Sequence, residues 1–383
     1  MLSNEQVGER VSRLTFEYYE KLKDSGKPTT RSNGAKEWTV LSSVVAIDES
    51  AESIRLISLA TGVKATPNLE LGRSDGKILH DCHAEILAVR GFNTVLMRQA
   101  IMLQDGRHSE ADCDLIEKST EGLAVKGSWS FALYVSRAPC GDASMDLLKS
   151  DDSASFTEDD HCQYADPNVK TVLRGRFNYK KRGFVRTKPG RKDSSVTLSK
   201  SCTDKLCCRQ FLSLFNALNW DLFLQPVFLK YLVVPQVTEA LKSGFNRAFN
   251  QRISTVPIAH HLKLISCEKS FSRDKTDDSQ VPAFLGAVLL HISPALALEQ
   301  QCIVNGVKNG SYVKAPKPLR KRCETVVSRA SQWSLYKRLK QVDDHVTYCD
   351  FKNRQLGRNA LKLKIRLALS SDGWVPTKHD DCI

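Results

Sequence analysis

Two short blocks, His83-Ala84-Glu85 and Pro139-Cys140-Gly141, constrain this 383-residue chain more than anything else in it. An imidazole and a thiolate are zinc ligands, and a carboxylate close to them in sequence is a candidate for acid–base work. Residues 82–104 read as one long apolar helix, so His83 and Glu85 fall at its start. Residues 129–136 are apolar and β-prone, and they deliver Pro139-Cys140 to the point where a second helix is predicted. Two helix N-termini at one edge of a sheet can bring both ligands to one site, and a helix N-terminus favours an anionic thiolate. Cys140 is followed by Gly141, Asp142 and Ala143, so no compact Cys-x-x-Cys pair exists and a third ligand must come from elsewhere. The best candidate is Cys202 in Ser201-Cys202-Thr203-Asp204-Lys205, which opens a helix-like run through Leu206, Leu212, Leu214 and Leu218. Three Cys/His ligands leave a fourth tetrahedral position for water, the mark of a catalytic site.

The rest of the chain supports one α/β domain, a mixed sheet sandwiched by helices, over residues 1–383. The metal core falls at about 38–235 and a C-terminal elaboration at about 236–383. Residues 5–25 place Val7, Val11, Leu14, Tyr18 and Leu22 at helical spacing. Residues 36–47 and 54–61 read as a β-hairpin around the turn at 48–52. Further strands are predicted at 228–234 and 281–292, and helices at 335–339 and 359–369. The polar, acidic stretches 105–128 and 149–170 read as loops, and no internal repeat or linker is visible.

The net charge is +13, and its distribution matters more than its size. Residues 170–192 carry ten Lys or Arg and no acid; 308–322 and 352–366 carry six each and no acid. Segregated charge of this kind fits a polyanionic partner, most simply nucleic acid. Lys180-Lys181-Arg182 is, on charge alone, a candidate for the RNA backbone. Twelve Cys at irregular spacing, with Cys207 and Cys208 adjacent, suit reduced thiols better than a disulfide framework. No apolar run approaches the ~18 residues of a membrane span, and the charged N-terminus carries no signal-peptide core. An intracellular protein of the cytoplasm or nucleus is expected, with no membrane contact and no obligate protein partner.

A His-x-Glu followed by a Pro-Cys is the pattern of zinc-dependent nucleobase deaminases. This chain further resembles the family of adenosine deaminases that act on RNA and tRNA. Asp81-Cys82-His83-Ala84-Glu85, Pro139-Cys140-Gly141-Asp142-Ala143 and Ser201-Cys202-Thr203-Asp204-Lys205 stand in that family's order. Arg31-Ser32-Asn33-Gly34, Glu37-Trp38-Thr39 and Arg186-Thr187-Lys188-Pro189-Gly190-Arg191 are similar to its tRNA branch, and the resemblance runs from end to end. It implies a cytidine-deaminase-type fold, with Zn²⁺ on His83, Cys140 and Cys202 and with Glu85 as proton shuttle. Neither the motif nor the geometry needs Cys82. The implied reaction is hydrolysis of adenosine to inosine, most simply at the adenosine 3′-adjacent to the anticodon of tRNA-Ala. Val40, Val63 and Lys64 are implied near the substrate base.

The resemblance also implies a buried inositol hexakisphosphate, held by Arg90, Lys188, Lys205, Tyr348, Lys352, Lys362, Trp374 and Lys378. Arg186 is expected to point the same way, and Asp81 with Lys205 to relay between that ligand and the zinc site. A buried polyanion would answer cations that could not otherwise stand unpaired in an interior. The chain departs from the family at Cys208-Arg209, where Arg-Trp is usual, at His80, where the duplex-RNA enzymes have Asn, and at Arg358, where Tyr is expected. Two other readings compete, a deaminase of duplex or other RNA and a catalytically silent RNA-binding protein. Glu85 weighs against the second, since a structural zinc site has no use for that carboxylate.

Overall fold

The hairpin read from the sequence forms the middle of the molecule. In the computed structural model, which describes residues 2–106, 109, 111–148, 156–189, 194–258 and 260–383, Leu41–Asp48 (β1) pairs antiparallel with Ser53–Thr61 (β2). Residues 151–155 of the acidic loop and Gly190, Arg191 and Lys192 of the basic run lie outside the described residues. Trp129–Val135 (β3), Leu229–Pro235 (β4), Lys263–Cys267 (β5), Gly286–Leu290 (β6), Glu299–Val304 (β7) and Val307–Lys308 (β8) complete a sheet of eight strands. Its order is β5-β4-β3-β1-β2-β6-β7-β8; β3, β4 and β5 run parallel and every other neighbour antiparallel. Four of the eight strands come from beyond residue 236, so the boundary drawn there divides the sequence and not the sheet.

β1 is buried on both faces, which is why it reads as a near-continuous apolar run. Leu41, Val45 and Ile47 face Asn4–Glu20 (α1), whose Val7, Val11 and Tyr19 sit at helical spacing. Val44 and Ala46 face the opposite layer, led by Ala84–Asp105 (α2). A bulge in β2 places Val44 opposite Ser58 but Val45 opposite Leu56, so Ile57 is an extra residue. Side-chain parity flips there: Leu56 and Leu59 both face α1, and Ile57 joins Ala60 on the α2 side. α2 is long and apolar enough to cross a membrane, but 83% of that window is buried, which makes it the core helix.

Several elements differ from expectation, and residues 105–128, read as a loop, carry a small hairpin of Ile116–Lys118 with Leu123–Val125. α2 starts two residues late, because Asp81–His83 pairs antiparallel with Val63–Ala65 and is extended. The helix expected at Cys140 is a 3₁₀ turn, Asp142–Leu147, because Gly141 at φ +112° and ψ −154° breaks the chain direction. The strand expected at 281–292 splits: Val281–Pro282 leaves the sheet to pair in parallel with Glu37–Trp38, and only Gly286–Leu290 joins it as β6. Cys202–Leu212 (α3), Glu239–Phe249 (α4), Arg329–Lys340 (α5), Tyr348–Arg354 (α6) and Leu356–Leu369 (α7), with the short helix Ala217–Leu222, complete the α2 side, and α7 packs on α3. All twelve cysteines are free.

Candidate active site

Three separate segments of the chain meet beyond the C-terminal end of β3. His83 is the N-cap of α2, Cys140 follows β3 through Ser136 and Pro139, and Cys202 is the first residue of α3 behind its N-cap Ser201. His83 Nδ1 lies 3.7 Å from Cys140 Sγ and 3.6 Å from Cys202 Sγ. All three donor atoms fall within 4.8 Å of one another, a group able to hold a metal ion. The backbone secures the approach: Thr203 N–H donates to Cys140 O at 3.0 Å, and Cys202 N–H to Cys140 Sγ at 3.4 Å. The hydrogen bond to Cys202 holds the Cys140 thiol well below its usual value; burial, then that bond, pushes Cys202 well above it. Cys82 is turned into the apolar core, where burial pushes its thiol up to about 12.

Gly141 permits this convergence. A Cβ there would sit 2.1 Å from Ser201 Oγ and 2.5 Å from Ser201 Cβ, at a φ that L side chains rarely adopt. Gly141→Ala is therefore expected to push the Cys140 loop off the α3 N-terminus. Bound metal should fall below one half-equivalent in plasma mass spectrometry, and a full equivalent would contradict this packing.

Glu85, one residue into α2, is 3% exposed and its Oε2 has no hydrogen-bond partner. Burial raises its pKa, and the Cys140 charge adds to the rise. A buried carboxyl with a free oxygen beside a ligand group is what proton transfer requires. It lines a cleft of about 980 Å³ together with His83, Cys140, Val40, Val63 and Lys64.

Behind the three donor residues lies Asp81. It accepts Lys188 Nζ at 2.8 and 2.7 Å, His83 N–H at 3.0 Å, and Lys205 Nζ in a short contact. Burial opposes its charge, but Lys188 and Lys205 outweigh that and hold the carboxylate well below its usual range. Lys188 Nζ also donates to Cys202 Sγ at 3.0 Å. Burial works against this ammonium too, yet Asp81, Cys202 and Cys140 raise its pKa. Lys188 thus neutralises the thiol group from behind rather than joining the expected polyanion shell. Arg186 departs further: its guanidinium donates to the carbonyls of Gly175, Phe177, Asn178 and Lys181, which ties it to that loop.

Lys205 leads from Asp81 to a second, unusual environment. Its Nζ also donates to Ser199 Oγ at 2.7 Å, and burial lowers its pKa. Around it stand Arg90 from α2, Arg209 from α3, Lys352 from α6, and Arg358, Lys362 and Arg366 spaced four apart on α7. Burial lowers Arg90 and Arg209 to about 10. Burial, reinforced by Lys352, Arg366 and Arg358, lowers Lys362 to about 7. Among the described residues, no carboxylate forms an ion pair with any of Arg90, Arg209, Lys352, Arg358, Lys362 or Arg366. Arg358 Nε is buried without a partner. Aromatic faces line the cluster: Arg366 lies 4.9 Å from the Trp374 ring centroid, Lys200 5.3 Å from the same ring, and Arg329 5.3 Å from Tyr348. Half-buried cations gathered without counter-charge form a group suited to an anion. Tyr348, Lys352, Lys362, Trp374, Arg90 and Lys205 were expected in this region. Arg366 was not, although its spacing from Arg358 and Lys362 on one helix was legible. Lys378 lies exposed beside the turn at Glu70–Arg73.

The basic triplet 180–182 does not line the cleft. Lys180 is exposed, Lys181 pairs with Glu158 at 3.5 Å, and Arg182 pairs with Asp146 at 2.5 Å. Among the described residues, the cations that do line it are Lys64, Arg137, Arg176, Arg186, Lys188 and Lys275.

A buried carboxyl beside a His/Cys/Cys group, at the floor of a basic cleft beside a mixed sheet, defines a nucleobase deaminase site. Residues 58–362 match the profile of the adenosine-deaminase (editase) domain, and the chain belongs to that family and deaminates adenosine. It is 45% identical to tRNA-specific adenosine deaminase 1 of Saccharomyces cerevisiae, across 100% of this chain and 96% of that protein. Identity to the protein of the same name from Schizosaccharomyces pombe is 32%, over 97% and 96% of the two chains. A double-stranded RNA-specific adenosine deaminase from Mus musculus is 29% identical over 60% of this chain but only 19% of its own length.

Proposed function

We propose that the protein hydrolyses adenosine to inosine in tRNA, with the adenosine 3′-adjacent to the anticodon of tRNA-Ala as its site and zinc as its metal. The observation that carries this reading is the meeting of His83, Cys140 and Cys202 beside the unpartnered Glu85 oxygen. One imidazole and two thiols are donors that zinc takes, with a position left open. Zinc held there would make a water nucleophilic enough at neutral pH to attack C6 of adenine. Glu85 accepts the water's proton and returns protons to N1 and to the departing ammonia. Lys188 offsets the negative charge of the two thiolates, and Asp81 fixes Lys188 and the His83 backbone. Val40 and Val63 give the base apolar walls. Full-length similarity to two proteins named tRNA-specific supports tRNA over duplex. So does cost: a base in an unpaired loop reaches a recessed pocket without breaking a pair.

A competition assay tests the substrate. An equimolar mixture of tRNA-Ala transcript and a long RNA duplex is expected to yield inosine in the tRNA alone. Inosine chiefly in the duplex would overturn the tRNA assignment.

The basic cluster is assigned to inositol hexakisphosphate, held by Arg90, Lys205, Arg209, Tyr348, Lys352, Arg358, Lys362, Arg366 and Trp374. The buried, unpartnered Arg358 Nε and the absence of ion-paired carboxylates support a polyanion there. Phosphorus spectra of the denatured protein should reveal one inositol hexakisphosphate per chain. The pH response is a second check. The folded pKa of Lys362, about 7, lies below its unfolded value near ~10.4. Without the anion, the unfolded chain therefore binds more protons between those values, and stability should rise with pH across that window. The bound anion should abolish that rise; the same rise in the loaded protein would contradict the assignment.

A further inference from the structure

Phe284 is a large apolar side chain, 51% exposed, at the mouth of a cleft that handles a polar polymer. Its ring is exposed but its backbone is fixed. Phe284 N–H donates to Glu37 Oε1 at 3.1 Å, and the same carboxylate oxygen accepts Arg31 Nε at 2.9 Å. The next residue back, Ala283, donates its N–H to Trp38 O at 2.7 Å, extending the parallel ladder of Glu37–Trp38 with Val281–Pro282. That ladder sets a second aromatic, the half-buried Trp38, on the same rim.

Each ring is attended by cations. Lys64 Nζ lies 4.6 Å from the Phe284 ring centroid and donates to Phe284 O at 3.3 Å. Arg137 and Lys275 lie 5.9 and 6.0 Å from the Trp38 ring centroid. Arg137 also pairs with Asp274 at 3.2 Å, which orients it without burying it. Exposed aromatic faces interleaved with Lys and Arg, fixed to a rigid ladder, are the composition of a stacking platform for unpaired nucleotides. A duplex offers no free base faces and would gain little from it.

We propose that Phe284 and Trp38 stack the nucleobases flanking the reacting adenosine in an unpaired RNA loop, while Lys64, Arg137 and Lys275 meet the adjoining phosphates. This rests on the reading that the chain deaminates adenosine in a tRNA loop, and it makes the rim a determinant of that preference. Base–aromatic stacking is worth ~1–3 kcal/mol per base, roughly 5- to 150-fold in affinity.

The test compares Phe284→Leu, which keeps an apolar side chain of similar bulk, with Phe284→Trp, which keeps a stacking face. An anticodon stem-loop serves as substrate and a blunt RNA duplex as binding control. Phe284→Leu is expected to raise KM for the stem-loop by about tenfold while kcat changes little. Phe284→Trp should recover the wild-type KM, and fluorescence anisotropy with the duplex should not move. Equal KM for Phe284→Leu and wild type would overturn the inference, as would equal losses in the Leu and Trp variants or a fall confined to kcat. Failure of the wild-type protein itself to form inosine in the stem-loop would instead defeat the tRNA reading beneath it.

Discussion

Glu85→Gln is expected to reduce inosine formation by roughly 10²- to 10⁴-fold, the usual contribution of a positioned acid–base group. Gln keeps the shape and the apolar packing of α2 but cannot carry protons from water to adenine N1. The three ligand atoms do not depend on Glu85, so the variant should still take up one equivalent of zinc. Its stability separates lost chemistry from lost structure. The folded pKa of Glu85 is raised by burial. The ionised form therefore weakens the metal-free fold above the unfolded pKa, and Gln removes that penalty. A melting temperature at neutral pH no lower than wild type is the expected result. Rates within tenfold of wild type at full zinc occupancy would remove Glu85 from the mechanism.

Asp81→Asn should be the most damaging single change to stability. Asp81 is the only carboxylate among the described residues in an ion pair with Lys188 or Lys205; its side chain and that of Lys188 are almost wholly buried, while Lys205 is 27% exposed. Removing one member of a buried charged cluster leaves the others unpaired and costs about 3–5 kcal/mol. His83 also loses the acceptor that fixes its backbone N–H, so zinc affinity should fall about 10- to 100-fold. The folded pKa of Asp81 is depressed, so its contribution is present above the unfolded pKa near ~3.9 and is lost as pH falls toward the folded value. Urea denaturation and zinc competition titrations of the variant check both effects. Wild-type values in both would show that the cluster is not held together as described.

The legible parts of the molecule were those set by local pattern. The hairpin of β1 and β2 and the long apolar α2 follow from periodicity, and the three ligand blocks from residue type and order. The helix expected after Cys140 failed for a local reason as well: Gly141 adopts a conformation that starts a 3₁₀ turn instead, and the second helix N-terminus at the site belongs to Cys202. Arg186 and Lys188 were expected at the polyanion and Lys180-Lys181-Arg182 at RNA, because charge along a run of ten cations does not say which partner each one meets. Folding instead sends Lys188 inward to Asp81, Arg186 to four carbonyls and Arg182 to Asp146. The aromatic rim was invisible in sequence. Glu37 and Phe284 stand 247 residues apart, and only a two-residue parallel ladder makes neighbours of them.

The most direct measurement is the mapping of inosine, by sequencing, in a tRNA-Ala transcript treated with zinc-loaded protein, with zinc-stripped protein, and with stripped protein to which zinc is returned. Zinc chemistry at His83, Cys140 and Cys202 predicts inosine at the single position 3′ of the anticodon, lost on stripping and restored with the metal. Inosine formed equally well by the stripped protein, or adenosine left intact by the fully loaded one, would contradict it.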